Sequence, residues 1–503
     1  MDSTRKKIKA FLRRGLVPFL VVTFAGQAAA QTWTQLFPGG TPPAPRYSAG
    51  QAYDAANDRL ILFSGEDFTA LPRPTDVWVL TDATGLGGTP SWVELFPTGG
   101  PPLGREGGTV VYAPTSNRII VFGGCAVNCS PALGDVWVLS NANGIGGTPA
   151  WTQLLPANAF ARTYHSAAYD AVSNRMIVFD GQLAFFGTAQ NDVRVLSNAD
   201  GTEPGTPTWT QLMPTGGPPA AREFGAVAYH QASNRLMVFG GVTLPNSFTS
   251  IEYNDVWVLT NANGMGGTPA WTQLVPSGTP PPERWWNHSA LYDPSTNRLI
   301  VFGGLQEGPG NQRTTATFLN DVWVLTNANG LGATPEWIQL APSAGPPAGR
   351  FGHSAGYASS SDAMVVAMGR NDTLGQLFND VWVLTNANGI IEVAIDIKPG
   401  SFPNSINPRS IGTIPVAILT TGTFDATTVD PGAVRFGRTG TEAAPVRSAL
   451  EDVDGDGDTD LILHFNTQAT AIQCGNTSAS LTGKTFSAQA IKGSDSIVTV
   501  GCT

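Results

Sequence analysis

The segment N-R-L-I-V-F-G-G at residues 297–304, followed at residues 320–330 by N-D-V-W-V-L-T-N-A-N-G, decides the fold because variants of it recur along most of the chain. Each copy is associated with a W-T-Q-L-like segment whose tryptophan serves as a marker. These tryptophans are spaced 59, 59, 58, 62 and 66 residues apart. They are Trp33, Trp92, Trp151, Trp209, Trp271 and Trp337.

Each block contains four short β-type segments, so the sequence predicts an all-β fold. The segments are the stretch after a repeated arginine, N-R-x-I-V-F, D-V-W-V-L and W-x-x-L. One such unit cannot bury its apolar faces alone and has to pack against its neighbours in a ring. The repeats therefore predict a six-bladed β-propeller over residues 31–389.

The two ends of the array predict how the ring closes. Trp33 has no D-V-W-V-L segment before it, and Val381–Leu384 has no W-x-x-L segment after it. Pairing the first strand with the last would complete the sixth blade and remove two exposed strand edges. We therefore expect residues 32–37 to form the fourth strand of blade six.

The Gly-Gly pair after the second strand, the downstream tryptophan and the repeated arginine together resemble kelch repeats. Intact pairs stand at Gly123-Gly124, Gly240-Gly241 and Gly303-Gly304. This resemblance implies a kelch-type propeller, and kelch domains usually bind ligands on one face. We call it the upper face: it carries the segments that precede strands one and three of each blade.

The upper face is the predicted ligand-binding surface. It carries six repeated arginines and, in blades five and six, adjacent aromatic residues, while the loops between strands two and three are longest in blades four and five. An alternative is that each arginine pairs with the aspartate that begins strand three, with the aromatic residues packed inside. The candidate ligand-binding residues are Arg46, Arg105, Arg162, Arg222, Arg284, Trp285, Trp286, Arg350 and Phe351.

Catalysis has little support in the sequence. Three of the five histidines, His165, His288 and His353, stand at or next to one repeated position, which is typical of a structural element. The copper site of galactose-oxidase-like enzymes cannot be assembled from these residues. Sialic-acid epimerases also use six-bladed kelch rings, so a carbohydrate-active enzyme is the alternative function.

Residues 1–30 have the pattern of a secretory signal peptide, with a basic start, an apolar stretch and Ala28-Ala29-Ala30 before the expected cleavage point. They carry six basic residues and one acidic residue, so the net charge of −10 would become about −15 after cleavage. An acidic surface disfavours nucleic acid as a partner. We expect a secreted, periplasmic or extracellular protein of bacterial type, without a transmembrane segment.

Four cysteines suit an oxidising compartment and predict two disulfides, Cys125–Cys129 and Cys474–Cys502. A metal clip is the alternative for the first pair, although no histidine stands nearby to complete a zinc site.

Residues 390–503 lack the repeat and predict a separate β-sandwich-like domain, whose segment at residues 395–408 resembles a module at the C-termini of exported bacterial proteins. Its D-x-D-x-D-G-x-x-D motif resembles the calcium loops of integrin-type FG-GAP repeats. Five carboxylates within nine residues would repel each other unless a hard cation held them. The candidate Ca²⁺ ligands are Asp452, Asp454, Asp456 and Asp460 by side chain and Asp458 by its backbone carbonyl.

These observations predict an exported recognition or surface protein. It would bind a protein or carbohydrate ligand on the upper face of the propeller, and Ca²⁺ would stabilise its C-terminal domain.

Overall fold

The computed structural model describes residues 31–68, 72–126, 131–184, 187–246, 249–308, 312–422, 424–487 and 489–502. The predicted signal peptide lies outside these residues. In the described part the elements are β-strands and four short 3₁₀ helices, at Gln231–Ser233, Ala426–Thr428, Pro431–Ala433 and Thr467–Thr470. No described helix is long and apolar enough to span a bilayer.

Six four-stranded antiparallel sheets form the blades, as the repeats predict. Their second strands are almost continuously apolar and buried, because neighbouring blades cover both faces. Blade one contains β2 (Gly50–Asp54), β3 (Arg59–Phe63), β4 (Val77–Thr81) and β5 (Ser91–Leu95). Blade two contains β6 (Thr109–Ala113), β7 (Arg118–Phe122), β8 (Val136–Ser140) and β9 (Ala150–Leu154). Blade three contains β10 (Ser166–Asp170), β11 (Arg175–Phe179), β12 (Val193–Ser197) and β13 (Thr208–Gln211).

The remaining blades include the closing strand and three additional hairpins. Blade four contains β14 (Ala226–His230), β15 (Arg235–Phe239), β18 (Val256–Thr260) and β19 (Ala270–Leu274), with the hairpin β16 (Val242–Asn246) and β17 (Thr249–Glu252). Blade five contains β20 (Ser289–Asp293), β21 (Arg298–Phe302), β24 (Val322–Thr326) and β25 (Trp337–Leu340), with the hairpin β22 (Leu305–Gly308) and β23 (Gln312–Phe318). Blade six contains β26 (Ser354–Ala358), β27 (Ala363–Ala367), β30 (Val381–Thr385) and β1 (Thr32–Leu36), with the hairpin β28 (Arg370–Asn371) and β29 (Gln376–Leu377).

The first strand of the propeller completes the last blade. β1 pairs antiparallel with β30 from Thr32 opposite Thr385 to Leu36 opposite Val381. Outside this ladder, the backbone N–H of Trp33 donates to the carbonyl of Ser343, and the N–H of Ser343 donates to the carbonyl of Gln31. The same kind of bridge joins the segment after strand four to the next blade all round the ring. β1 thus occupies the position that the sequence predicts for it, as the fourth strand of blade six.

Large side chains lock neighbouring blades together. The tryptophan of strand four packs on the phenylalanine of strand two in the preceding blade, as Trp209 does on Phe122 with ring centroids 4.7 Å apart. The N-A-N-G segments also link blades: the guanidinium of Arg235 in blade four donates to the carbonyl of Asn329 in blade five at 3.0 Å. At the seam between blades six and one, Ala363 and Ala367 stand where the other blades have arginine and phenylalanine. This seam therefore lacks two of the repeated contacts.

The C-terminal region contains two four-stranded sheets. One has the order β31 (Ile390–Glu392), β39 (Ala490–Ser496), β38 (Ser478–Lys484), β35 (Arg435–Gly437). The other has the order β32 (Ile395–Ile397), β34 (Thr413–Ile418), β37 (Asp460–Asn466), β36 (Pro445–Glu451). A short pair joins β33 (Ser405–Ile406) to β40 (Val498–Thr499). Phe436 and Phe465 bring the two sheets into contact, with ring centroids 5.0 Å apart, so the region is sandwich-like.

The chain divides into two compact units close to the predicted boundary. The propeller unit extends to Glu392 and also takes Lys484–Lys492, while the second unit contains Val393–Gly483 and the residues from Gly493 onward. Cys474 and Cys502 form the predicted disulfide, with their Cα atoms 5.8 Å apart. Cys129 lies outside the described residues, so its pairing with Cys125 stays a prediction.

Candidate functional site

A repeated backbone turn builds the upper face. The second residue after each repeated arginine has a positive φ, between 50° and 62°. The first residue after the arginine forms an isolated β-bridge with the residue that follows the Gly-Gly position. Glycine adopts a positive φ without strain, yet only blades two and six have a glycine at this position, Gly107 and Gly352. Tyr164, Phe224 and Trp286 adopt it in blades three to five. The turn thus places large rings at the centre of this face.

The six repeated arginines are structural. Each is at most 3% exposed and forms a salt bridge of 2.6–2.9 Å with the aspartate immediately before strand three of its own blade. Arg350, for example, donates to both oxygens of Asp380 and to the carbonyl of Met368. In five blades the same aspartate also accepts the indole N–H of the strand-three tryptophan, as Asp380 does from Trp382 at 2.7 Å. This geometry explains why the repeat contains D-V-W.

The prediction that the arginines contact a ligand is therefore corrected. Arg46, Arg105, Arg162, Arg222, Arg284 and Arg350 are buried in ion pairs, and a ligand cannot reach their guanidinium groups in this conformation. Burial would raise the pKa of the Asp135 carboxyl, but the hydrogen bonds and charge of Arg105, together with the hydrogen bond from Trp137, hold that pKa below its usual value. The pairing within blades, which the sequence left open, is what the structure contains.

The central aromatic residues form one packed group, which we call the aromatic cluster: Tyr47, Tyr164, Phe224, Trp285, Trp286 and Phe351. Trp285 is 1% exposed and Phe351 is fully buried, so these two predicted ligand-contacting residues are also corrected to core residues. Trp286 is different, because it is only half-buried. It stacks on Trp285 with ring centroids 4.9 Å apart and packs against Phe351 at 4.8 Å. The cluster therefore fixes Trp286 in place while leaving part of its ring open.

A cavity of about 250 Å³ lies beside Trp286. Its apolar lining comes from Trp285, Trp286, Leu305, Ala316 and Phe318. Asp372 and Thr373 supply the polar lining. The cavity therefore combines aromatic walls with a polar side.

Charged residues occupy the side of the cluster that belongs to blades one to three. Arg73 forms salt bridges of 2.8 Å with both Glu66 and Glu106, and Tyr164 donates to Glu106 at 3.2 Å. Burial raises the pKa of Glu106 although Arg73 opposes the effect. Sequence reasoning missed this network. A signal in the sequence that could have indicated it is the position of Glu106, which in blades one, five and six is occupied by an aromatic residue.

The long loops of blades four and five are the two hairpins β16–β17 and β22–β23. The backbone N–H of Glu307 donates to Glu252 at 2.9 Å, and the Ser250 hydroxyl donates to Glu307 at 2.6 Å. Burial, together with the nearby charges of Glu307 and Glu283, raises the pKa of Glu252 to about 7. These contacts join the two hairpins into one raised wall on the upper face.

The repeated histidines are also structural. In His165, His288 and His353, Nε2 lies within hydrogen-bond distance of an oxygen atom in the preceding blade. Burial lowers the pKa of His288 and of His353 to about 3, and the neighbouring arginines add to the effect. Burial also places the pKa of His165 well below its usual value. All three therefore join blades as neutral rings.

The acidic loop of the C-terminal domain connects β36 to β37. Carboxylate oxygens of Asp452, Asp454 and Asp460 lie within 4.8 Å of one another. The loop backbone holds them there, because Val453 donates to Asp460 and both Gly455 and Gly457 donate to Asp452. The other predicted ligands, Asp456 and Asp458, lie outside this group, and Asp456 accepts from the N–H of Asp458. Three oxygen donors at this spacing fit a hard cation such as Ca²⁺.

Comparison with known families agrees with the repeat geometry. The model of the KLHDC2/KLHL20/DRC7 Kelch-repeats domain matches residues 21–197 and again residues 170–390. The chain belongs to the kelch-repeat family.

Similar proteins match part of this chain. The chain is 28% identical over 229 residues to a Rab9 effector protein with kelch motifs from Xenopus laevis, and 27% identical over 229 residues to the one from Danio rerio. These alignments cover 43% and 42% of this chain and 53% and 58% of the relatives. The chain is also 28% identical over 288 residues to multiple epidermal growth factor-like domains protein 8 from Mus musculus, covering 54% of this chain and 9% of that protein. The chain thus spans about half the length of the Rab9 effector relatives and a small part of the third.

Among solved structures, YjhT is similar to this chain at 15% sequence identity and a TM-score of 0.48, covering 68% of this chain and 95% of that one. Kelch propellers commonly bind proteins. In this kelch propeller the part of the predicted site that a ligand can reach is Trp286 and its cavity, which residues from the hairpins of blades five and six line.

Proposed function

We propose that the protein is an exported recognition protein whose upper face binds a partner protein through Trp286. The half-buried Trp286, stacked on buried Trp285 at the edge of a cavity, carries this proposal. Aromatic anchors held in fixed rotamers beside a pocket are typical of the few residues that dominate binding energy at protein interfaces. Export is inferred from the pattern of residues 1–30, and the disulfide in the C-terminal region supports it.

The size of the cavity favours a side chain of a partner protein over a larger ligand. Pockets for drug-sized molecules usually measure about 300–1,000 Å³. A cavity of about 250 Å³ suits one anchoring side chain. On the same face Phe68 is 58% exposed, and Leu374, which follows Thr373 of the cavity lining, is 57% exposed, so both add apolar area to this face. A carbohydrate that stacks on Trp286 is the other ligand class to be tested.

Replacing Trp286 with alanine is expected to weaken ligand binding at least tenfold, because a central aromatic anchor contributes about 2 kcal/mol or more. The wild-type protein, Trp286→Ala and the control Phe96→Ala would be applied to a protein array and a glycan array, and the affinity for each retained ligand measured by biolayer interferometry. Phe96 is 77% exposed but lies outside the aromatic cluster. Ligands bound equally by all three proteins, or no retained ligand, would contradict the proposal. Turnover of a sialic acid or galactoside would favour the enzymatic alternative.

We also propose that Ca²⁺ binds the loop between β36 and β37 and stabilises the C-terminal domain. Asp452 and Asp454 are exposed, whereas Asp460 is buried and accepts the backbone N–H groups of Thr420 and Val453. A bound cation would therefore tie the surface loop to the interior of the domain. The ion would have a structural role, because the converging ligands come from one hairpin loop.

Addition of 5 mM CaCl₂ is expected to stabilise this domain by about 1–2 kcal/mol, given an extracellular-type Kd of ~10⁻⁴–10⁻³ M. Calorimetric melting of the whole protein, with and without CaCl₂, measures the effect. Asp454→Ala should abolish the response, whereas Asp458→Ala should retain it, because the side chain of Asp458 lies outside the converging group. An Asp454→Ala protein that responds to calcium like the wild type would refute the site.

A further inference from the structure

Strand β36 is an exposed edge. It is the last strand in the order β32-β34-β37-β36, and no other strand pairs with its outer side among the residues that the structure describes. It contains seven residues, as many as the longest of the other strands that the structure describes, and its ladder with β37 is regular from Arg447 to Glu451. Natural proteins usually shorten, cover or charge such an edge, because its free backbone groups can pair with another strand.

The side chains of β36 are exposed on both faces of the sheet. Leu450 lies opposite the buried Leu461 of β37, on the side of the sheet that forms the core, yet it is 56% exposed. Val446 at the start of the strand is 64% exposed. Apolar side chains of β36 therefore remain exposed at the edge of the domain core. Pairing of β36 with a further strand would cover them.

The charged residues of β36 allow two copies of the strand to pair with opposite charges facing each other. Arg447 and Glu451 are four positions apart and lie on the face opposite to Leu450, with Ala449 between them on that face. When two such strands pair antiparallel about Ala449, Arg447 of each copy faces Glu451 of the other. Pairing about Arg447 would instead place two arginines opposite each other, which is unfavourable. The charges therefore select one two-fold register and discourage the sliding that leads to aggregation.

From this placement we infer that β36 joins two copies of the protein through a two-fold antiparallel pairing centred on Ala449. The second copy is the occupant that the charges favour, because a two-fold interface requires one surface to be complementary to itself. An interface of one short strand per copy is small, so the dimer should be weak, with a Kd of ~10–100 µM. This inference does not depend on the upper face.

Sedimentation equilibrium of residues 31–503 between 1 and 200 µM tests the pairing through a charge exchange. The wild-type protein should dimerise, and both Arg447→Glu and Glu451→Arg should weaken the dimer at least tenfold, because each places like charges opposite each other. The double variant R447E/E451R should restore dimerisation. Both positions are exposed, so these substitutions should leave the fold of the domain intact. A circular dichroism melt of each variant confirms folding.

Three results would overturn the inference. The wild-type protein could be monomeric up to 200 µM, the single variants could dimerise as well as the wild type, or the double variant could be as weak as the single ones. The last two results would place any dimer contact on another surface or in another register.

Discussion

Replacing Trp33 with alanine is expected to lower the free energy of unfolding of the propeller by about 3–5 kcal/mol, as for other buried large aromatic residues. Trp33 is 2% exposed, lies opposite Leu384 in the ladder between β1 and β30, and packs on Phe302 of blade five with ring centroids 5.2 Å apart. Its loss would leave a cavity between blades five and six. Removing residues 31–38 should have a larger effect, because it also deletes the ladder and the bridge to Ser343.

Urea denaturation followed by tryptophan fluorescence and far-ultraviolet circular dichroism would measure these changes. Phe37→Ala is the matched control, since Phe37 follows the same strand but is 83% exposed. Its effect should stay within about 0.5 kcal/mol. Equal stabilities of Trp33→Ala and Phe37→Ala would mean that the first strand does not hold the ring closed.

Acidification should destabilise the propeller through its three buried histidines. Their pKa values are depressed in the folded state, so below the unfolded value of about 6.5 the unfolded chain binds protons that the folded chain excludes. The stability that these neutral histidines contribute is therefore present above the unfolded pKa of about 6.5. It is lost as the pH falls towards the folded pKa, which is about 3 for His288 and His353. His288 and His353 should each contribute a loss of about 1.4 kcal/mol per pH unit below the unfolded pKa, or roughly 4 kcal/mol together between pH 7.5 and 5.0, and His165 acts in the same direction.

A comparison of two proteins isolates this effect. Burial raises the pKa of Glu252 to about 7 and that of Asp362 to about 6, so these carboxyls favour the folded state as the pH falls through the same range. The quantity to measure is therefore the difference in free energy of unfolding between the wild type and H165Q/H288Q/H353Q, at pH 7.5 and at pH 5.0. The variant should be less sensitive to acid by several kcal/mol, and equal pH dependence would contradict the buried neutral rings.

The fold was predictable because each repeated residue has one structural role in every blade. The spacing of the tryptophans defined the blades, and the unpaired segments at Trp33 and Trp382 defined the closure. The sequence alone could not decide whether the repeated arginines contact a ligand or form ion pairs within the blades. A repeated Arg and Asp can form a charged rim or a buried ion pair, and only the positions of Asp380 and Trp382 around Arg350 distinguish the two.

The sequence also could not show which of the two neighbouring tryptophans on the upper face is accessible to a ligand. Trp285 and Trp286 are adjacent in the sequence, but the backbone turn at Trp286 buries one ring and leaves the other half open. Sequence patterns do not give this distinction, because it depends on φ at one residue. The ion pair of Arg73 with Glu106 was missed because it joins loops of different blades.

The pairing of β1 with β30 also has a consequence for biosynthesis. Thr32 and Thr385 are 353 residues apart, so the strand that is synthesised first receives its partner almost last. At about 5–20 residues per second, this strand has no partner for roughly 20–70 s while the ribosome completes the ring. A nascent or prematurely terminated chain would present an unpaired strand throughout that time, and such chains should depend on molecular chaperones far more than the finished protein does.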